Sequence, residues 1–253
     1  MLRFDVITLF PGIFEAVTAQ GITSRARRRG LWCAHFWNPR LVTSDVHRTV
    51  DERPFGGGPG MVMMAEPLYR TLEMIRASGN SGRVIAFAPS GRHLTDAWVR
   101  EASADANGQY VLVCGRYEGI DERFLSRYVD EIISLGDFVL SGAELAACAL
   151  MDAVVRQLPG AIKELSALDE SFATGLLDAP HYTRPEVWQG EQVPEVLLSG
   201  HHANIARWTR EKSLEATFKN RPELITIARS RGLLTDRDEK FLKSLKAEGC
   251  ERD

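Results

Sequence analysis

Three short apolar runs limit what this chain can fold into: "RVIAFAP" (83–89), "YVLVCG" (110–115) and "EIISLG" (131–136). Each is closed by proline or glycine, and each is apolar at successive positions. A strand with one wet face alternates between apolar and polar residues; one covered on both faces does not. The runs therefore predict buried parallel strands with helical crossovers between them. "LRFDVITLF" and "LWCAHFW" read as two more strands, with a helix around "IFEAVTAQGI" between them. "EPLYRTLEMIRAS" carries Leu68, Leu72 and Ile75 at helical spacing. Ser141 stands three residues before Glu144, a capping-box spacing, at the head of "LAACALMDAVV", which Pro159-Gly160 ends. The expected result is an α/β domain over residues 1–160.

Beyond it the pattern dissolves. "AIKELSALDESFATGLLDAPHYTRPE" has neither a sustained period nor strong caps, and is long for a loop inside one domain. Residues 161–178 are accordingly expected to be a flexible linker. "NIARWTREKSLEATF", "PELITIARSRG" and "RDEKFLKSLK" then read as basic helices, a small helical domain over 179–253.

The formal net charge of −3 excludes a polycation, but its distribution is uneven. From Ile22 to Val50 the charges are Arg25, Arg27, Arg28, Arg29, Arg40 and Arg48 against Asp45, and from Gly200 onward 12 Lys/Arg face 9 Asp/Glu. Two basic zones on a weakly acidic protein suit local contact with a polyanion. Cys33, Cys114, Cys148 and Cys250 are far apart and form no CxxC, which suits unpaired thiols in a reducing cytoplasm. His201 and His202 are adjacent and lack a partner cluster, so no metal site is expected. No run approaches the roughly 20 residues of a membrane span. "MLRFDVITLFPG" carries an acid and lacks a cleavage pattern, so no signal peptide is expected.

The glycine-rich stretch "RPFGGGPGMVM" (53–63) invites a phosphate-cradle reading, which its chemistry opposes. Gly60 is followed by Met61 and Val62 where a P-loop requires Lys and Ser or Thr, and GGGPG is not the dinucleotide GxGxxG. Such a loop instead lets backbone approach something flat or bulky. Pro89-Ser90-Gly91, Gly115 and Gly136 mark three strand ends, the places where open parallel sheets bind ligands. One shared pocket is expected there.

"PFGGGPGMVM", "CGRYEGIDER", "GDFVLSGAEL" and "GLLDAPHYTRPE" resemble, in order, the signature blocks of bacterial tRNA (guanine-N1)-methyltransferases. The likeness runs from "ITLFPGIF" through "VPEVLLSGHHANIARW". It implies the SPOUT superfamily: a parallel-sheet domain with a deep trefoil knot, followed by a small all-helical C-terminal domain. It further implies methylation of guanosine 37 in tRNA by S-adenosylmethionine, in a homodimer whose active site is shared between subunits, and a magnesium requirement for which no ligand cluster is legible. Carried over by resemblance, donor contacts fall at Pro89, Gly91, Gly115, Tyr117, Glu118, Gly119, Leu135, Gly136, Asp137, Phe138, Val139, Leu140 and Gly142. Ala143 stands where the family has glycine.

Guanine N1 is protonated and must lose that proton before its lone pair attacks the methyl group. A carboxylate within reach serves as base, and a cation at O6 stabilises the charge that develops. The resemblance points to Arg156 as the cation and to an acid of "LDESF" as the base. Aligning on Ser-Phe makes Glu170 the base, whereas keeping the residue type makes it Asp169. Chemistry on a stacked base requires its extrusion, and the GGGPG loop would close on the extruded guanine. Arg25, Arg27, Arg28, Arg207 and Arg210 are the candidate phosphate contacts. A ribose-methylating SPOUT enzyme would lack the GGGPG and "HYTRPE" blocks, and a purely RNA-binding module would need neither a donor pocket nor a base.

Overall fold

The computed structural model describes residues 1–162 and 170–250, with side chains to residue 247. The chain divides into two compact units, Met1–Lys163 and Glu164–Asp253. Among the described residues no helix is long and apolar enough to cross a membrane.

The first unit opens with β1 (Leu2–Ile7). A 3-10 turn at Pro11–Phe14 follows, then α1 (Glu15–Thr18) and α2 (Gly21–Arg28). The single helix expected here is thus broken, because Gln20 is extended at φ −122° and ψ 156° and starts a new helix. Next come β2 (Trp32–Trp37), the short pair β3 (Asp51–Glu52) and β4 (Val62–Met63), and α3 (Ala65–Ala77). The unit finishes with β5 (Arg83–His93), α4 (Asp96–Ala104), β6 (Gln109–Val113), α5 (Glu122–Tyr128), β7 (Glu131–Ser134) and α6 (Glu144–Gln157).

Five strands form one sheet in the order β2-β1-β6-β5-β7, with every neighbouring pair parallel. The apolar runs are explained by burial on both faces. Tyr110 and Leu112 of β6 join Phe4, Trp32, Trp98, Leu150 and Val154 in one core. Val111 and Val113, pointing the other way, join Leu68, Leu72, Ile75 and Phe124 in the second. Each such large side chain contributes about 1.5–3 kcal/mol by leaving water. The one carboxylate sunk fully into β1, Asp5, has its oxygens occupied: Trp37 Nε1 donates at 2.7 Å, Asn80 Nδ2 at 2.7 Å and Arg3 Nε at 2.6 Å. Without those partners a buried charge would oppose folding.

The capping box expected at Ser141 and Glu144 does not form. Ala143 is the N-cap of α6 and makes no side-chain cap bond, while Glu144 is the first helical residue. Its carboxylate instead accepts from Arg116 Nε and Thr8 Oγ1.

In the second unit β8 (Val187–Trp188) and β9 (Glu191–Gln192) form a hairpin. It is followed by α7 (Glu195–Leu198), α8 (His202–Asn220), α9 (Pro222–Ser230) and α10 (Asp236–Cys250). Leu176, Leu214, Ile225, Ala228 and Leu242 make its core. Leu176 comes from the segment expected to be linker. Phe172 N donates to Leu176 O at 2.7 Å, Asp178 N to Ser171 Oγ at 2.9 Å and Leu177 N to Thr217 Oγ1 at 2.9 Å. Those bonds seat residues 171–178 within the second unit.

Candidate active site

The carboxyl ends of β5, β6 and β7 converge on a cavity of about 340 Å³. That is near the lower end of ordinary ligand pockets, roughly 300–1,000 Å³. Its walls include eleven of the expected donor contacts: Pro89, Gly115, Tyr117, Glu118, Gly119, Leu135, Gly136, Phe138, Val139, Leu140 and Gly142. Gly91 and Asp137 are not among the lining residues. Gly91 instead lies against the backbone of Ile132, where a side chain would collide.

The β5 wall is built by an irregularity. Phe87 and Arg92 both stand in register with Ile133 of β7, so residues 88–91 are pushed out of the sheet and the strand resumes after them. The β6 wall turns at Tyr117, whose φ of +59° is uncommon for an aromatic residue. Glu118 N donates to Met61 O at 2.9 Å and Gly119 N to Arg116 O at 3.2 Å, and these bonds hold the turn. The Tyr117 hydroxyl accepts a hydrogen bond from Arg40 Nη2 at 3.3 Å. Burial, and then the charge of Asp51, raises the phenol above its ordinary value.

The glycine loop joins β3 to β4, and its φ values explain its composition. Gly56, Gly57, Gly58 and Gly60 sit at +86°, +79°, +122° and +80°, where residues bearing a Cβ are strained. Its base is hydrogen-bonded to the pocket wall: Met63 N donates to Gly119 O at 2.9 Å, and Asp121 N to Met63 O at 3.0 Å. Loop and wall therefore form one continuous strip.

Arg116 crosses from the β6 wall to the β7–α6 loop. Its Nε donates to Glu144 Oε2 at 2.8 Å and its Nη1 to Ser141 O at 3.2 Å, and its guanidinium lies 4.4 Å from the Phe10 ring centroid. Glu144 is 1% exposed, and its Oε1 accepts from Thr8 Oγ1 at 3.0 Å. Gly142 is required here, since any side chain would occupy the place of the guanidinium. Beneath the site, burial pushes the Cys148 thiol up to about 11, with the Glu144 charge adding to it.

Sequence reasoning missed Ala86, Phe87, Arg116, Ile132 and Ser141 as lining residues. "CGRYEG" contains Arg116, but nothing local says that it faces Glu144.

Arg156 lies in the last turn of α6, whose first turn lines the pocket through Ala143 and Ala146. Ten residues of helix separate Ala146 from Arg156, about 15 Å at 1.5 Å per residue. Arg156 is not among the residues that line the pocket. Glu170 belongs to the second unit, and Asp169 lies outside the described residues.

Arg25, Arg27 and Arg28 are exposed on the last turn of α2, where the helix dipole favours cations. Arg207 pairs with Glu211 at 2.9 Å, and Arg210 with Asp238 at 3.0 Å, so Arg210 is engaged inside its own unit. Among the described residues there is no group of three or more His, Cys, Asp or Glu placed to hold a metal ion.

Comparison with known proteins extends this geometry. A family model described as tRNA (Guanine-1)-methyltransferase TrmD matches residues 2–227. The chain is similar to proteins named tRNA (guanine-N(1)-)-methyltransferase from Bordetella pertussis, at 54% identity over 98% of this chain and 99% of that one. The protein of that name from Herminiimonas arsenicoxydans is 55% identical over 96% of this chain and 100% of its own length. That from Ralstonia nicotianae is 54% identical over 95% and 92%. A match of that extent, on a chain whose glycine-marked strand ends do converge on one cavity, establishes that it belongs to the tRNA (guanine-1)-methyltransferase TrmD family.

Proposed function

We propose that this protein methylates N1 of guanosine 37 in tRNA, with S-adenosylmethionine bound in the cavity at the ends of β5, β6 and β7. It is a tRNA (guanine-N1)-methyltransferase by family, and that class implies S-adenosylmethionine as methyl donor. The observation that carries the donor assignment is the composition of the cavity. Glu118 lines it among mostly apolar groups, including Leu135, Phe138, Val139 and Leu140. A carboxylate beside apolar walls suits a ligand bearing a sulfonium, an ammonium and an aromatic base. The donor supplies an electrophilic methyl group, and the rest falls to the protein.

A linker carboxylate takes the N1 proton, and Glu170 holds the position that the resemblance assigns to it. Arg156 stabilises the charge at O6. Its place at the far end of α6 supports a site completed by a second copy of the chain, as in a homodimer. The strip that bonds the glycine loop to residues 118–121 supports a common wall for extruded guanine and donor. The loop-to-loop bond from Ala143 N to Gly115 O, at 3.0 Å, supports the knotted reading, in which these two loops pass each other.

The decisive experiment incubates the protein with methyl-labelled S-adenosylmethionine, magnesium and tRNA bearing G or A at position 37. Label on N1 of guanosine 37, and none in the A37 transcript, is the expected result. An unmodified G37 transcript overturns the proposal.

A further inference from the structure

Arg116 poses an electrostatic problem that its surroundings solve. It lines the cavity assigned to a methyl donor, so its own charge would oppose the donor's sulfonium. We propose that Glu144 is the counter-ion that neutralises Arg116 and holds its guanidinium against Phe10 and Ser141, so that the pocket accepts a sulfonium.

The geometry is that of a fixed pair. Glu144 is 1% exposed, and its two oxygens are taken by Arg116 Nε at 2.8 Å and Thr8 Oγ1 at 3.0 Å. The carboxylate also stands at the first residue of the 14-residue helix α6, where the helix dipole favours negative charge. Arg116 is fixed by the Phe10 ring at 4.4 Å and by Ser141 O at 3.2 Å, and Gly142 leaves room for it. The pair joins the end of β1, the β6 wall and the head of α6. Glu144 touches no ligand on this account. It acts through Arg116, as a positioning residue.

This inference rests on the donor-pocket reading, and a comparison of two ligands separates them. S-adenosylmethionine carries a sulfonium; S-adenosylhomocysteine carries a neutral thioether in an otherwise similar molecule. Uncompensated charge at Arg116 should weaken the first selectively, because like charges in a partly desolvated site repel appreciably. Loosened packing would weaken both alike. Calorimetric titration of both ligands into wild type, Glu144→Gln and the double variant Arg116→Met/Glu144→Met measures the ratio of their dissociation constants.

Glu144→Gln should shift that ratio against S-adenosylmethionine by roughly fivefold to tenfold. The double variant, which removes both charges and keeps the site apolar, should return it to within about twofold of wild type. A ratio unchanged in Glu144→Gln overturns the inference. Should that variant fail to fold, Arg116→Met decides: the uncompensated Glu144 carboxylate should shift the ratio in favour of S-adenosylmethionine, and an unchanged ratio overturns the inference. A wild-type chain that binds neither ligand overturns the donor-pocket reading itself.

Discussion

The Glu118 side chain lies over Gly60, and a methyl group built on Gly60 would strike its carboxylate. Gly58, two residues earlier at φ +122°, has nothing within 4 Å of the corresponding position. Gly60 is thus required by contact as well as by backbone conformation, Gly58 by conformation alone.

Gly60→Ala should therefore weaken donor binding by displacing Glu118, about tenfold or more by titration calorimetry. Gly58→Val, strained but unobstructed, should raise the apparent KM for tRNA more than it changes donor affinity. A Gly58→Val enzyme with weakened donor binding and a normal KM for tRNA would refute the role given to this loop.

The base assignment is tested by single-turnover methylation with Glu170→Gln and Asp169→Asn. General-base removal typically slows the chemical step by 10²–10⁴-fold. Glu170→Gln is expected to show that loss and Asp169→Asn to stay within about threefold of wild type. Wild-type rates in both would end the assignment of a linker base.

Mixed dimers test whether Arg156 serves the pocket of a second copy. Arg156→Ala and Glu118→Ala chains should each be nearly inactive alone. Combined, they should recover roughly half of the activity expected for the mixed-dimer fraction, because one site then holds an intact pocket and an intact arginine. No recovery would mean that both groups act within one chain.

Asp238 should make the second unit acid-sensitive. Burial acts to raise its carboxyl, but bonds from Arg210 and Thr235 outweigh it and leave the group below its ordinary value. A carboxyl lowered in the folded state contributes stability that is fully present above the unfolded value, about 3.9, and lost as pH falls through the folded one. Asp238→Asn should cost about 1–3 kcal/mol in urea unfolding at pH 7. The difference from wild type should shrink below pH ~4; a difference that grows in acid would contradict the sign.

Cys148 should resist alkylation, because a thiol at about 11 is almost wholly protonated near neutrality. At pH 8 its reaction with iodoacetamide should run roughly a hundredfold slower than that of an ordinary thiol near 8.5. A mass-spectrometric time course on the folded protein checks this, and labelling at the rate of a free peptide would contradict it.

What the sequence made legible was whatever has a local cause. Strands whose two faces are both buried write continuous apolar runs, so β5, β6 and β7 could be read directly. Their glycine and proline ends marked the pocket. Features set by distant partners were not legible. Glu144 has capping-box spacing from Ser141, yet its carboxylate goes to Arg116 and to Thr8, 136 residues away in sequence. Leu176 sits in a stretch with no period and is held by the core of the second unit. Strand β5 reaches His93, past the proline that closes its apolar run, because pairing with β7 resumes there.

That resumption has an energetic consequence. Residues 88–91 leave the sheet and return to the same point, Ile133, so pairing with β7 tethers both ends of the segment. Ordering a free backbone residue costs about 1–2 kcal/mol, and a preorganised segment has little of that disorder left to surrender. A ligand settling against it would therefore spend little of its binding energy on ordering the β5 wall.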